Sequence, residues 1–173
     1  MTALSRLNPI PTAVRAAFTL VPPFAAFRLR SNAMRAVGFR MGRGSVFWGW
    51  PSVSGSGDVS ELLSIGELSG FNVRCHFDLE DEIRIGNQVS VGHEVMFLTH
   101  SHDTSDPHCR AGRKITAPIV VEDGAWLGAR STILPGVTIG AGSVIGASVV
   151  VSENVPEQTL YMGSQKISLA KWR

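Results

Sequence analysis

Histidines are concentrated in one polar segment of this sequence. Residues 98–114 read LTHSHDTSDPHCRAGRK and contain His100, His102 and His108, which are three of the five histidines in the chain. An imidazole has an unperturbed pKa of about 6.5, so it can take up and return a proton near neutral pH. The cluster therefore predicts general acid–base chemistry, in which a histidine removes the proton from a weak nucleophile such as a hydroxyl group.

The rest of the sequence after the first third repeats every six residues. Apolar side chains stand six apart without a gap at Val121, Leu127, Ile133, Ile139, Ile145 and Val151. Small or β-branched side chains follow each of them by four residues, at Ala125, Ser131, Val137, Ser143, Val149 and Val155. A helix repeats every 3.6 residues and a strand every 2. A period of six indicates a short strand followed by a turn, repeated around a triangular coil. A β-sandwich, the alternative, would space its strands by about 8–12 residues.

The same register extends towards the N-terminus. It continues backwards through Ile115, Phe97, Val91 and Ile85, and from Val53 to Phe77 after a slip of two residues. Phe97 and Ile115 are 18 residues apart, the length of one coil. The segment 98–114 is therefore predicted to be a loop that protrudes from an intact coil. Functional side chains commonly lie on such loops of a rigid scaffold.

The charges divide the chain into two parts. Residues 1–57 contain seven Arg and no acidic residue, while the remainder carries a net charge of −5. Residues 24–41 place apolar side chains near one helical face, which predicts one or two amphipathic helices. They could cap the open end of the coil or contact an anionic membrane surface. A nucleic-acid partner is not expected, because the arm shows no aromatic stacking motif or recognition helix. We place a basic helical segment at 1–44, the coil domain at 45–160 and a tail at 161–173.

The sequence favours a reducing compartment. Its two cysteines, Cys75 and Cys109, are too few for a disulfide framework. The apolar stretch 18–27 is interrupted by Pro22 and Pro23 and is too short to span a bilayer. It also does not match a secretory signal. We expect a cytoplasmic protein, which the basic segment could hold at the inner face of a membrane.

Two sequence motifs carry a resemblance to a known family. The segment THSHD and the later run APIVVEDGAWLGARSTILPGVTIGAGSVIGA, together with the repeats, resemble the hexapeptide-repeat acetyltransferases. The similarity is to the sugar O-acetyltransferase group, which includes maltose, nodulation and colanic acid acetyltransferases, and covers about residues 65–167. It implies an all-β fold, a left-handed parallel β-helix, and a homotrimer with active sites between subunits. It also implies acetyl-CoA as donor, a sugar or glycan acceptor in surface polysaccharide or glycolipid biosynthesis, and no metal.

The resemblance assigns catalytic and acceptor-binding roles. His102 occupies the position of the family's general base, in Thr99-His100-Ser101-His102. His100 is the second candidate, because residues two apart in a strand lie on the same face. Asp78 matches an acidic residue that binds the acceptor or orients the base, although it could also be a solvated acid. Trp126 matches a tryptophan near the acceptor groove, although it could also pack at a corner of the coil.

Other positions match the family's contacts with coenzyme A. Gly128, Ala129, Gly146 and Ala147 correspond to small residues along the pantetheine arm, and coil geometry alone could also require them. Lys166 corresponds to a basic residue that meets the CoA phosphates, which a lysine binds as a point charge. The Asn-Pro-Ala that usually precedes that residue is missing here, as is the family's glutamate before the Pro-Ile turn.

Two other functions are compatible with the repeat. A carbonic anhydrase of this fold binds zinc through three histidines from neighbouring coils. The later pair of those histidines is five residues apart, and no two histidines here have that spacing. A structural β-helix that binds a partner through a flat face is the other alternative, and the histidine segment disfavours it. A longer acyl donor than acetyl also remains open.

Overall fold

Short parallel strands form the three faces of a coil in this computed structural model, which describes residues 22–163 and 165–169. The first face contains β1 (Arg40–Met41), β4 (Leu63–Ile65), β7 (Ile83–Ile85), β12 (Ile119–Val121) and β15 (Thr138–Ile139). The second contains β2 (Val46–Phe47), β5 (Gly70–Phe71), β8 (Ser90–Val91), β13 (Trp126–Leu127), β16 (Val144–Ile145), β18 (Thr159–Tyr161) and β19 (Lys166–Ser168). The third contains β3 (Ser52–Ser54), β6 (His76–Asp78), β9 (Met96–Leu98), β14 (Thr132–Ile133) and β17 (Val150–Val151). Except for β19, which is antiparallel to β18, the paired strands of these faces run parallel. The predicted parallel β-helix is confirmed.

The six-residue period marks the interior of the coil. All six apolar residues from Val121 to Val151 are buried, and so are Ala125, Ser131 and Ser143 at the corners. In the earlier coils the interior also contains phenylalanine rings. The rings of Phe47 and Phe71 stack with centroids 4.5 Å apart, and those of Phe77 and Phe97 stack at 4.9 Å. Stacked pairs of this kind add to the free energy gained by burying each ring.

The chain leaves the coil after β9. Its next two strands, β10 (His100–His102) and β11 (Lys114–Thr116), form an antiparallel hairpin that belongs to none of the three faces. The expectation that Ile115 continues the inward register is wrong, since Ile115 lies on β11 and is 44% exposed. The coil resumes only at β12, where Ile119 and Val121 pair with Ile83 and Ile85. The hairpin therefore carries the histidine segment away from the scaffold, as a protruding loop would.

One helix lies against the first coil. Helix α1 (Phe27–Ala36) packs on β1 and β2 and buries Met34, which joins the apolar core. The predicted helical segment is confirmed for these residues, while Arg6 and Arg15 of the basic arm lie outside the described residues. The coil starts with β1 at Arg40, earlier than the boundary we placed at residue 45. In the part of the chain that the structure describes, no helix is long and apolar enough to cross a membrane.

Candidate active site

The hairpin brings His100 and His102 side by side. In its register His100 lies opposite Thr116 and His102 lies opposite Lys114. The two histidines are on the same face of β10, and their ring centroids are 5.8 Å apart with an interplanar angle of 83°. His102 is exposed and His100 is half-buried. The expectation from strand geometry that both rings share a face is confirmed.

A buried carboxylate holds the ring of His100. Asp78 on β6 is only 2% exposed, and its Oδ2 lies 2.6 Å from His100 Nδ1. The same carboxylate accepts hydrogen bonds from the backbone N–H groups of Thr99 (3.1 Å) and His100 (3.2 Å) and from the Ser54 hydroxyl (3.1 Å). These donors compensate the charge for its loss of water. An ionised carboxylate can only accept, so His100 Nδ1 carries a hydrogen, and in the neutral form of the ring Nε2 then has the lone pair.

A backbone carbonyl holds the ring of His102 in the same tautomer. His102 Nδ1 lies 2.9 Å from the carbonyl oxygen of Gly112, across the hairpin loop. A carbonyl oxygen accepts and never donates, so Nδ1 bears the hydrogen in this contact. The Nε2 atom of the neutral ring then has its lone pair available. Both histidines are therefore arranged as bases through the same ring nitrogen.

Two further side chains extend the network around Asp78. His76 Nε2 lies 3.3 Å from Ser54 Oγ, and the Ser54 hydroxyl donates its single hydrogen to Asp78. His76 Nε2 is consequently the donor in the first contact, which fits a neutral ring. Burial lowers the pKa of His76 below its usual value, although the charge of Asp78 opposes this shift. Ser54, His76, Asp78 and His100 thus form one hydrogen-bonded chain.

Thr99 joins the hairpin to the turn 79–82. The Thr99 side chain is fully buried, and its hydroxyl donates to the carbonyl oxygen of Asp78 at 2.5 Å. The Thr99 hydroxyl oxygen also accepts hydrogen bonds from the backbone N–H groups of Glu80 and Asp81, both at 3.0 Å. The Glu80 carboxylate in turn forms an ion pair with Lys114 on β11. This turn lies at the two-residue slip of the repeat.

Trp126 lies on a different face of the coil from the histidines. It belongs to β13, is 56% exposed, and pairs with Ser90 and Val144. The hairpin instead extends from β9, which belongs to the third face. One copy of the chain therefore does not place Trp126 and the two histidines on a common face.

The small residues and Lys166 have visible structural contacts. A Cβ atom on Gly128 would lie 2.6 Å from the backbone nitrogen of Ala147 in the next coil, so stacking of the coils alone requires this glycine. Lys166 on β19 lies 3.0 Å from Glu153 and donates to the carbonyl oxygen of Asn154 at 3.2 Å. The roles of Gly128, Ala129, Gly146, Ala147 and Lys166 in binding CoA stay predictions. Among residues 22–163 and 165–169, no three His, Cys, Asp or Glu side chains are grouped so as to hold a metal ion.

Comparison with known proteins identifies the repeat. The family model for the bacterial transferase hexapeptide (six repeats) matches residues 118–153. The structure of a hexapeptide-repeat containing acetyltransferase from Vibrio cholerae, complexed with acetyl coenzyme A, superposes with a TM-score of 0.75 and 29% identity. That alignment covers 93% of this chain and 84% of the other. The chain is therefore similar to hexapeptide-repeat acetyltransferases in its repeat and in its fold.

Further relatives of this hexapeptide-repeat chain carry sugar acetyltransferase names. A galactoside O-acetyltransferase from Lactococcus lactis is 32% identical over 114 residues, which are 66% of this chain and 54% of that protein. A maltose O-acetyltransferase from Clostridium difficile shares the fold with a TM-score of 0.75 at 23% identity, over 95% of this chain and 86% of the other. The chain spans about half the length of the curated relatives it matches, 52% and 54% for the first two.

The repeat motif did not reveal every residue of the site. Ser54, Thr99, Glu80 and Lys114 contact Asp78, its neighbours or the hairpin, and sequence reasoning gave none of them a role. Thr99 and Glu80 had a usable signal, since the first precedes the histidine cluster and the second lies at the slip in the period. No sequence signal marked Ser54 or Lys114, because their partners Asp78 and Glu80 are 24 and 34 residues away in the chain.

The lowered pKa of His76 predicts a pH-dependent stability. The folded state binds fewer protons at this ring than the unfolded state, whose histidine titrates near 6.5. The contribution of His76 is therefore fully present above about pH 6.5 and is lost as the pH falls through the folded pKa. We expect the melting temperature to fall less steeply between pH 7 and 5 in His76→Gln than in the wild type. An equal fall of the melting temperature with pH in the two proteins over this range would contradict the expectation.

Proposed function

We propose that this chain transfers an acetyl group from acetyl-CoA to a sugar hydroxyl, with His102 as the general base. The observation that carries the proposal is the geometry of the hairpin, where two adjacent imidazoles each have Nδ1 occupied and Nε2 free. A hydroxyl is a weak nucleophile and needs such a base to attack a thioester. The acetyl-CoA donor is supported by the Vibrio cholerae neighbour, which is described as complexed with acetyl coenzyme A.

The reaction follows from one base and one thioester. His102 Nε2 takes the hydroxyl proton while the sugar oxygen bonds to the carbonyl carbon of acetyl-CoA. The negative charge that develops on the thioester oxygen requires N–H donors. The positive charge that develops on His102 is stabilised by the carbonyl oxygen of Gly112, which accepts the Nδ1–H hydrogen bond. When the tetrahedral intermediate collapses, the carbon–sulfur bond breaks and the thiolate leaves. The imidazolium then returns its proton to the sulfur, so the products are an acetyl ester and CoA, and the base is regenerated.

His100 is the alternative base. Its Nε2 is free as well, and an ionised carboxylate stabilises an imidazolium more strongly than a neutral carbonyl does. The sequence resemblance assigns the general base to the position of His102 and makes His100 the second candidate. We therefore assign proton transfer to His102 and assign Asp78 the task of orienting His100 beside it.

The acceptor class is a sugar, which we place in the synthesis of a surface polysaccharide or glycolipid. Support comes from the 32% identical relative named galactoside O-acetyltransferase. The deciding experiment measures CoA release from acetyl-CoA with free sugars, nucleotide-linked sugars and lipid-linked sugars as acceptors. A sugar-dependent release of CoA supports the proposal. Turnover of acetyl-CoA that no sugar of these three classes stimulates would contradict it.

We also propose a homotrimer with sites shared between subunits. Trp126 and the histidine hairpin lie on different faces of one coil, so a site that contains both needs a second copy. Co-expression of His102→Ala and Trp126→Ala chains tests this arrangement. Hybrid trimers are expected to regain activity that neither variant has alone, because some sites combine an intact His102 with an intact Trp126. Light scattering is expected to give three times the chain mass of 18.6 kDa. A monomer, or hybrids without recovered activity, would contradict shared sites.

The basic segment is proposed to hold a cytoplasmic enzyme at the inner face of a membrane. Arg28, Arg40 and Arg43 are exposed near α1, and residues 22–57 contain no acidic side chain. Each arginine close to an anionic surface contributes about 1 kcal/mol. We expect sedimentation with vesicles containing phosphatidylserine, no sedimentation with neutral vesicles, and loss of binding in Arg28→Gln/Arg40→Gln/Arg43→Gln.

The control removes the same charge from positions outside the basic segment. Arg74→Gln/Arg84→Gln/Arg110→Gln changes three exposed arginines outside the basic segment. It should leave vesicle binding unchanged. Equal losses in the two triple variants, or no binding by the wild type, would show that α1 acts only as a cap on the first coil.

A further inference from the structure

One ion pair ties the outer strand of the histidine hairpin to the coil. Lys114 on β11 contacts the carboxylate of Glu80, which lies in the turn 79–82 between β6 and β7. Within the described part of the chain, Lys114 is the only side chain of residues 101–116 with a hydrogen bond or ion pair to the coil. The other recorded side-chain hydrogen bonds of this segment stay inside it, as with His102 to Gly112 and Arg110 to Thr104. Asp78 holds the hairpin at its base through His100, and beyond that base Lys114 supplies the side-chain contact that fixes the hairpin on the coil.

The coil side of this contact is held in place independently of Lys114. The Ser56 hydroxyl donates to Glu80 Oε1 at 2.9 Å, and the backbone N–H of Glu80 donates to the buried hydroxyl of Thr99 at 3.0 Å. The Glu80 side chain is only 16% exposed. Lys114, and secondarily Ser56, hold the pKa of Glu80 below its usual range, so the carboxylate is ionised at neutral pH. Glu80 is thus a charged side chain that contacts within the coil hold in place. Its partner on the hairpin is Lys114.

Lys114 lies directly opposite His102 across the hairpin. Their Cα atoms are register partners, and the hairpin continues beyond them through hydrogen bonds between Asp103 and Arg113 and between Gly112 and Asp103. Gly112 supplies the carbonyl oxygen that fixes the His102 ring. A contact that holds Lys114 in place therefore also holds the backbone of His102 and the loop that orients its ring.

We propose that Lys114 and Glu80 are positioning residues that hold His102 at the reacting hydroxyl, an inference that rests on the proposed function. An ion pair whose lysine is 41% exposed contributes little to folding stability. Its effect is on geometry, since a small displacement of a catalytic group lowers the rate far more than it lowers stability. The signature of this role is a loss of kcat without a matching loss of fold or of donor binding.

The test compares Lys114→Met, Glu80→Gln and the double variant in acetyl-CoA turnover. Each single change is expected to lower kcat by about 5-fold or more, with KM for acetyl-CoA within about twofold of the wild type. The double variant should lose no more than either single variant, because both changes remove the same contact. Lys114→Arg keeps the charge and should retain most of the activity. Singles with wild-type kcat, or a double variant whose loss is the product of the single losses, would overturn the inference.

A matched control and a second measurement separate this inference from the proposed function. Glu94→Gln removes a carboxylate that pairs with Arg74 and Arg130 on the coil, and it should leave kcat unchanged. Hydrogen exchange of the Asp103 and Gly112 amides requires no activity and should be faster in Lys114→Met than in the wild type. Unchanged exchange at both amides contradicts the positioning role. A wild-type chain that transfers no acetyl group contradicts the proposed function instead, whatever the exchange shows.

Discussion

His102→Ala is expected to lower kcat by about 10²–10⁴-fold, the contribution of a positioned general base. His102 is exposed, and its recorded side-chain hydrogen bond goes to Gly112 within the hairpin loop, so the substitution should leave the coil folded. The loss should appear in kcat, with KM for acetyl-CoA little changed, because the base acts on the acceptor hydroxyl. The measurement is steady-state kinetics of CoA release, with the melting temperature as a check on folding.

Two other histidines give this experiment its controls. His108 is exposed in the same loop, and its backbone N–H rather than its ring contacts Asp106, so His108→Ala should behave like the wild type. His100→Ala should lower kcat less than His102→Ala does, since it removes a neighbour of the base. The reverse order would transfer the role of base to the Asp78–His100 pair. Wild-type activity in both His100→Ala and His102→Ala would show that neither histidine is the base.

Asp78→Ala is expected to destabilise the fold by about 1–3 kcal/mol, the usual consequence of leaving a buried hydrogen-bond donor without its acceptor. It would leave the backbone N–H groups of Thr99 and His100, the His100 ring and the Ser54 hydroxyl without their acceptor. Urea unfolding measures this loss directly. Asp78→Asn keeps the shape and an acceptor oxygen, so it should cost clearly less.

An exposed carboxylate with similar donors provides the comparison. Asp123 accepts the backbone N–H of Asn87 at 2.8 Å and its side-chain amide at 3.0 Å, but it lies in solvent. Because water can replace these hydrogen bonds, Asp123→Ala should cost no more than about 1 kcal/mol. Similar unfolding free energies for Asp78→Ala and the wild type would show that the carboxylate does not organise the site.

Much of the scaffold followed from the spacing of side-chain types. The six-residue period identified the inward residues from Val121 to Val151, all of which are buried. Ile115 matched the same period and is nevertheless exposed on the hairpin. A period reports which residues can face the interior, but an inserted hairpin can occupy the same number of residues as a coil. Only the pairing of β12 with β7 shows where the coil resumes.

The candidate site was predictable in its residue types and not in its contacts. The histidine cluster and the alternation of a strand placed His100 and His102 on one face. The role of Asp78 as a buried partner of His100 was open in the sequence, since the run Asp78-Leu79-Glu80-Asp81-Glu82 reads equally well as a solvated acidic turn. The structure separates its members, because Asp78 is buried under the hairpin and Glu80 faces Lys114.

The sequence by itself determined the repeating coil, its inward residues and the segment that carries the imidazoles, because period and composition are local properties of the chain. The division of charge at about residue 57 likewise needs no coordinates. The tertiary structure decided which acid meets which histidine, which ring nitrogen is left free, and how Lys114 ties the hairpin to the coil. These contacts join residues 10 to 34 positions apart, and their geometry depends on how successive coils and the hairpin stack.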